Sequence, residues 1–128
     1  MVRPVRCDPI LVVDDSEVTR ELIHRNLASK GYKVIEAPDI SAATETLKEQ
    51  KISLVITDLK MFGGSGLNLI KYVKENFPRT EVAIITGYPS IETTEAALKM
   101  GAVAFLCKPF TREELFETVE QALAARKK

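Results

Sequence analysis

A doubly wound α/β fold, with five parallel strands alternating with five helices, is what this 128-residue chain predicts. Five short apolar runs rich in β-branched residues alternate with five longer segments whose apolar residues recur at helical spacing. The runs lack the polar alternation of a strand with one wet face, so they read as strands covered on both sides, as in a parallel sheet. The length suits one core and is too short for two.

The first strand is Ile10-Leu11-Val12-Val13. Past Asp14-Asp15, Ser16 can cap a helix. Val18, Leu22, Ile23 and Leu27 are expected to share its inner side, and Gly31 closes it. Residues 33–37 read as a second, more exposed strand, and a helix over 41–49 turns Ala42, Ala43 and Leu47 inward. Leu54-Val55-Ile56-Thr57 is a third covered strand, ending at Asp58. Phe62-Gly63-Gly64-Ser65-Gly66 reads as a loop into a helix carrying Leu67, Ile70, Tyr72, Val73 and Phe77, which Pro78 ends. Val82-Ala83-Ile84-Ile85 is the fourth strand, stopping at Thr86-Gly87. The fourth helix covers 91–100 with Gly101 as its stop, and the fifth strand covers 102–106. After Lys108-Pro109, Thr111 and Glu114 form a capping-box pattern for a last helix ending near Ala125. With no repeat, low-complexity tract or linker, residues 1–128 read as a single domain with its core over about 9–125.

Composition narrows the function classes. Hydrophobic residues at 45% and charged residues at 28% are the mixture of a globular domain. Lys plus Arg equals Asp plus Glu at 18 each, so no global charge draws the chain to nucleic acid or anionic lipid. The basic run Arg126-Lys127-Lys128 reads as a solvated terminus. No apolar stretch is long enough to cross a membrane, and none after Met1 resembles a signal peptide. Cys7 and Cys107 make neither a metal set nor a disulfide framework, so a cytoplasmic chain with reduced thiols is expected.

Strand-helix-strand alternation forces right-handed crossovers and gathers all strand C-termini along one edge, where ligands bind in such sheets. The first strand runs into Asp14-Asp15, the third into Asp58, the fourth into Thr86 and the fifth into Lys108. The second ends in Ala37-Pro38 and offers nothing chemical. Loop polarity and helix capping account for one or two of these positions. They account poorly for three carboxylates and a lysine at one edge. Carboxylates brought together repel unless a cation sits among them, and hard oxygen donors suit Mg²⁺. A lysine supplies a point charge for a transferring phosphoryl group, and a threonine a hydroxyl donor. A carboxylate is itself a competent nucleophile for an acyl phosphate.

The segments Val12-Val13-Asp14-Asp15-Ser16, Thr57-Asp58-Leu59-Lys60-Met61, Ile85-Thr86-Gly87 and Phe105-Leu106-Cys107-Lys108-Pro109-Phe110 resemble the signature blocks of the receiver domain of bacterial two-component response regulators, the chemotaxis-regulator-like superfamily. The resemblance covers roughly residues 9–125. It implies a flavodoxin-like sheet of order 2-1-3-4-5. It makes Asp58 the phosphoacceptor, with Mg²⁺ held by Asp14, Asp15, Asp58 and the backbone carbonyl of Lys60. It assigns Lys108 to the phosphoryl oxygens, with a cis bond to Pro109. It makes Thr86 and Phe105 the switch pair, Thr86 moving to the phosphoryl group and the Phe105 ring turning inward. The implied partners are a sensor histidine kinase or histidine phosphotransfer protein and an output domain or protein, without direct nucleic-acid or membrane contact. Dimerisation on phosphorylation is compatible with it. The output surface in similar proteins lies on the fourth helix, fifth strand and last helix, here Thr94, Leu98, Lys99, Val103, Thr111 and Glu114.

One position departs from that pattern: Phe62 stands where a proline commonly follows the methionine. This loosens the turn without removing a chemical group. Among the remaining residues, His24 reads as a solvated surface histidine, and Cys107 as a packed, inert small residue despite its neighbour Lys108. Tyr88 either gates access to Asp58 or covers the loop. Gly63, Gly64 and Gly66 read as a flexible turn, because the lysine and hydroxyl of a phosphate-cradling loop are missing.

Three function classes follow. The first is a phosphorylation-controlled binding module, assisting only its own phosphorylation and dephosphorylation. The second is a degenerate receiver acting as a constitutive docking module. The third is a phosphohydrolase of haloacid-dehalogenase type, which Lys60 disfavours because it stands where those enzymes place their acid, two residues past the nucleophile.

Overall fold

The computed structural model describes residues 8–61 and 64–125. The readings of Cys7, Phe62, Gly63 and the terminal run Arg126-Lys127-Lys128 lie outside the described residues. In chain order the elements are β1 (Ile10–Val13), α1 (Glu17–Ser29), β2 (Val34–Ala37), α2 (Ile40–Glu49), β3 (Leu54–Thr57), β4 (Lys60–Met61), β5 (Gly64–Ser65), α3 (Gly66–Asn76), β6 (Glu81–Thr86), α4 (Ile91–Met100), β7 (Ala104–Cys107) and α5 (Arg112–Ala124). Five strands form a parallel sheet of order β2-β1-β3-β6-β7, which is 2-1-3-4-5 counted over that sheet alone. The expected fold class and strand order are what the structure shows.

Alternate residues of each central strand serve opposite faces. Leu11, Val13 and Val55 join Leu47, Leu69, Ile70 and Val73 on the face covered by α2, α3 and α4. Ile10, Val12 and Ile56 join Ile23, Leu27, Leu115 and Val119 on the face covered by α1 and α5. Burying each such side chain is worth about 1.5–3 kcal/mol against leaving it in water.

Capping follows the sequence closely. Ser16 accepts a hydrogen bond from the Thr19 N–H at 3.3 Å, and Thr111 and Glu114 make the reciprocal capping box. Gly31 and Gly101, after α1 and α4, have φ of 98° and 120°, backbone that side chains rarely adopt.

The structure differs from the sequence reading in several places. Val18 and Leu22 are exposed at 79% and 44%, while Ile23 and Leu27 are buried. Successive residues stand roughly 100° apart around a helix, so the Val18–Leu22 and Ile23–Leu27 pairs cannot both face one sheet. Residues 60–65, read in part as loop, contain the antiparallel ladder Lys60↔Ser65 and Met61↔Gly64. The fifth strand begins two residues late, at Ala104, and carries Cys107 at its end. Cys107 is exposed rather than packed, since β7 is the sheet's edge and its cover thins toward that end. Among the described residues no helix is long and apolar enough to cross a membrane.

Candidate functional site

Adjacent strands deliver the two acids that face each other. Val13 and Thr57 are partners across β1 and β3, so the residues after them, Asp14 and Asp58, leave the sheet side by side. The Asp58 N–H donates to the Val13 carbonyl at 3.3 Å, and the Asp14 N–H to the Ala37 carbonyl at 3.3 Å. Both acids are nearly buried, at 3% and 6% exposure, and an uncompensated pair of carboxylates there would be costly.

Lys108 supplies the compensation from β7. Its N–H donates to the Thr86 carbonyl at 2.8 Å, which sets the side chain over the sheet edge. Its ammonium then lies 3.0 Å from Oδ2 of Asp14 and 2.8 Å from Oδ2 of Asp58. Burial pulls the pKa of Lys108 down. The hydrogen bonds and charges of Asp58 and Asp14 outweigh that, and the net effect raises it above the usual 10.5. The lysine is therefore charged at neutral pH. Its peptide bond to Pro109 is cis, as the family resemblance implied.

The remaining oxygens of the acids are also held. Oδ1 of Asp14 accepts from the Ser16 N–H at 2.9 Å, and Oδ1 of Asp58 from the Lys60 N–H at 3.3 Å. The predicted residues thus divide. Asp14, Asp58 and Lys108 are in direct contact, and Lys60 joins them through its backbone. Asp15 is exposed beside them, and among the described residues no three His, Cys, Asp or Glu side chains gather as a metal cluster. Thr86 is fully buried, its hydroxyl accepting from the Tyr88 N–H at 3.2 Å. Phe105 is half-buried, packed against the α2–α3–α4 face, and its strand partner is Ile84.

The donor set fits a small hard cation. Two carboxylate oxygens converge on one ammonium, the pair carries one negative charge more than that ammonium cancels, and all side-chain donors are oxygen.

Three residues whose part the sequence did not reveal shape this edge. Gly66 opens α3 directly beneath the Asp58–Leu59 backbone, where a Cβ would collide with the Asp58 carbonyl oxygen and lie 3.0 Å from the Leu59 Cα. The Gly66 N–H donates to the Leu59 carbonyl at 2.9 Å. Its place in a glycine-rich segment disguised a close approach as a flexible turn. Arg20, on α1, donates through Nε to Oε1 of Glu36 at 3.0 Å and through Nη1 to the Asp14 carbonyl at 2.9 Å. Glu36, one residue before the end of β2, also lies 2.6 Å from Nδ1 of His24. His24 is therefore a paired residue rather than simply a solvated one. Burial raises the Glu36 pKa, but the hydrogen bonds and charges of His24 and Arg20 more than reverse this and hold it below the usual 4.5.

Beside the acids, the Lys60 ammonium lies 5.0 Å from the centroid of the exposed Tyr88 ring. Tyr88 and Lys60 border a cavity of about 470 Å³ with Leu59, Met61, Ser65, Leu67 and Thr93.

Residues 10–120 match the family model described as response regulator receiver domain. Over 116 residues the chain is 39% identical to the response regulator protein PilR of Pseudomonas aeruginosa, covering 91% of this chain and 26% of PilR. The chain spans about a quarter of the length of the curated relatives it matches. Among solved structures, the beryllofluoride-activated NtrC4 receiver domain dimer superposes with a TM-score of 0.88 at 34% identity, covering 93% of this chain and 98% of that one. A CheY-like receiver domain protein from Methanospirillum hungatei gives 0.88 at 25% identity, with 93% and 95% covered.

Proposed function

The chain belongs to the response regulator receiver domain family, and on that premise we propose that Asp58 accepts a phosphoryl group in a Mg²⁺-dependent reaction that switches a protein-binding surface. The observation that carries this reading is the shared hold of one ammonium, Lys108, on the nearly buried carboxylates of Asp58 and Asp14. A structural ion pair needs only one acid. A charge bound to two acids at a sheet edge can move to a third anion without crossing the core.

In the proposed transfer, a carboxylate oxygen of Asp58 attacks phosphorus in line with the phosphoramidate bond of a phosphohistidine. The O–P bond forms, the P–N bond breaks, and the imidazole leaves with a proton from solvent. Lys108, kept charged by its raised pKa, exchanges its carboxylate contacts for a phosphoryl oxygen. The Lys60 N–H stays on the other Asp58 oxygen and fixes the carboxylate plane. Asp14, Asp15, Asp58 and the Lys60 carbonyl would hold Mg²⁺, whose charge offsets that of the phosphoryl oxygens. Water later attacks the same phosphorus and restores Asp58, so the domain assists its own phosphorylation and dephosphorylation without being a turnover enzyme.

Phosphorylation adds about 1.5 to 2 negative charges to this edge. The Thr86 hydroxyl then has reason to leave the Tyr88 N–H for the phosphoryl group, and the Phe105 ring to occupy the space vacated. The two states shift only by the differential affinity of the phosphoryl group for them. The readout surface in this reading is the face of α4, β7 and α5, where Leu98 is 49% exposed. Its partners would be a histidine kinase or phosphotransfer protein on the input side and an output domain, protein or second copy on the other. A cytoplasmic location belongs to the same reading.

Two alternatives are weighed by the same site. A haloacid-dehalogenase-type hydrolase would want an acid two residues past Asp58. That position is Lys60, its ammonium over the Tyr88 ring. A constitutive docking module would have no use for the Lys108 bridge. The test is mass spectrometry after incubation with acetyl phosphate or beryllofluoride and Mg²⁺, with and without chelator. One Mg²⁺-dependent adduct, absent in Asp58→Asn, is expected. No adduct under any condition would leave the docking module as the answer, and turnover of a small phosphate ester would revive the hydrolase.

A further inference from the structure

We infer that Arg20 is a positioning residue for the acidic pair, a clamp on the peptide plane between Asp14 and Asp15 that Glu36 holds in place. The inference rests on the reading of these acids as the Mg²⁺-binding end of the site. Asp14 is the point where the chain leaves β1 and turns toward α1, and each of its polar groups has a partner. Its N–H goes to Ala37, its Oδ1 to the Ser16 N–H and its Oδ2 to Lys108. The carbonyl, which belongs to the same peptide unit as the Asp15 nitrogen, receives Nη1 of Arg20 at 2.9 Å. A rotation of that peptide unit would turn both acids at once.

Guanidinium is suited to this task in a way an ammonium is not. Its donors lie in one rigid plane, so fixing Nε fixes where Nη1 points. Nε is fixed 3.0 Å from Oε1 of Glu36, whose other oxygen is held 2.6 Å from Nδ1 of His24. Glu36 is itself anchored in the sheet as the partner of Val12. The Arg20 side chain is only 14% exposed, and that of Glu36 26%. With little water at hand to compete, the two side chains keep one mutual orientation. The second strand, whose terminal residues carry no chemistry, thereby reaches the site through α1.

The experiment must separate orientation from charge, since deleting Arg20 alone would leave Glu36 uncompensated and itself attract a cation. Two variants keep the net charge, Arg20→Lys and the double change Arg20→Met with Glu36→Gln. Each is checked for folding by circular dichroism. Mg²⁺ alone is titrated into the unphosphorylated protein by calorimetry, and acetyl phosphate labelling is then timed at low and saturating Mg²⁺. Loss of one hydrogen bond to the ligand-bearing peptide is expected to weaken Mg²⁺ binding by about fivefold in both variants. Labelling at saturating Mg²⁺ should remain within about twofold of wild type, since the reacting groups are intact. Glu36→Asp alone, a milder change that keeps the charge and shortens the reach to Arg20 should either variant fail to fold, should weaken binding in the same direction. Unchanged Mg²⁺ affinity in folded Arg20→Lys, or in Glu36→Asp, overturns the clamp while wild-type labelling of Asp58 stands. A wild type that neither binds Mg²⁺ nor labels overturns the phosphoacceptor reading and the clamp together.

Discussion

Lys108 reaches across the sheet edge to place its ammonium 2.8 Å from Oδ2 of Asp58, a residue fifty positions earlier in the chain. The same ammonium lies 3.0 Å from Asp14, whose strand is separated from that of Lys108 by β3 and β6. This lysine is the internal counterion of an acidic edge, and its replacement tests both stability and switching.

Lys108→Ala should leave two nearly buried carboxylates without their shared cation. Thermal melting in Mg²⁺-free buffer is expected to fall, consistent with a loss of about 1–3 kcal/mol. Added Mg²⁺ should recover more stability in the variant than it adds to wild type, as a divalent ion replaces the missing charge. The Asp58 adduct should still form but no longer change the amide spectrum around Thr86 and Phe105. A variant that melts like wild type in chelator, or that switches normally, would contradict the role given to Lys108.

The Glu36 pairing should show in acid. Its folded pKa is depressed below 4.5 by His24 and Arg20, so the unfolded chain binds the proton first. The stability it contributes is present at pH above 4.5 and is lost as pH falls through the lower folded value. The melting-temperature gap between wild type and Glu36→Gln should therefore be open at neutral pH and close on acidification below 4.5. Lys108 has the opposite sign. Its raised pKa keeps its contribution whole up to pH 10.5, and the loss comes as pH rises through the higher folded value. A gap independent of pH between 7 and 3 would count against the Glu36 network.

Gly66→Ala should be disproportionately damaging for so small a change. Its Cβ would be driven into the Asp58 carbonyl oxygen, backbone that cannot rotate away. A loss of about 1–3 kcal/mol in denaturant unfolding is expected, with slower labelling of Asp58 as the acceptor loop is displaced. Wild-type stability and labelling rate would mean that the loop accommodates the methyl group freely.

Tyr88→Ala tests the ring beside the site. The exposed contact with Lys60 is worth roughly 0.5–1 kcal/mol at most, so stability should barely change. A ring that gates access to Asp58 would, on removal, shorten the half-life of the adduct without lowering its yield. An unchanged half-life would reduce Tyr88 to a cover for the loop.

The elements of the fold were legible because their signals are local. A β-branched run such as Leu54-Val55-Ile56-Thr57, a cap such as Ser16 and the Thr111–Glu114 box each declare themselves within a few residues. Asp14, Asp58 and Lys108 were legible as partners for a topological reason, since parallel strands bring their C-terminal ends together. Arg20 and Glu36 were not legible. A helix arginine and a strand glutamate sixteen residues apart have no local pattern, and their meeting depends on how α1 crosses β2. Gly66 was visible as a glycine, but the carbonyl it makes room for comes from another part of the chain's path.

The sequence by itself determined the parallel sheet, the edge at which chemistry gathers and the residue types found there, because hydrophobic period and strand direction are properties of the chain read in order. Only the tertiary structure decided which of those residues touch. It paired Lys108 with two acids, set Asp15 apart in exposure, tied Thr86 to the Tyr88 N–H and brought Arg20 onto the Asp14 carbonyl. Hydrogen bonds of about 3 Å depend on crossing angles, side-chain reach and close backbone contacts, and these are fixed by the packing of the whole domain rather than by any segment within it.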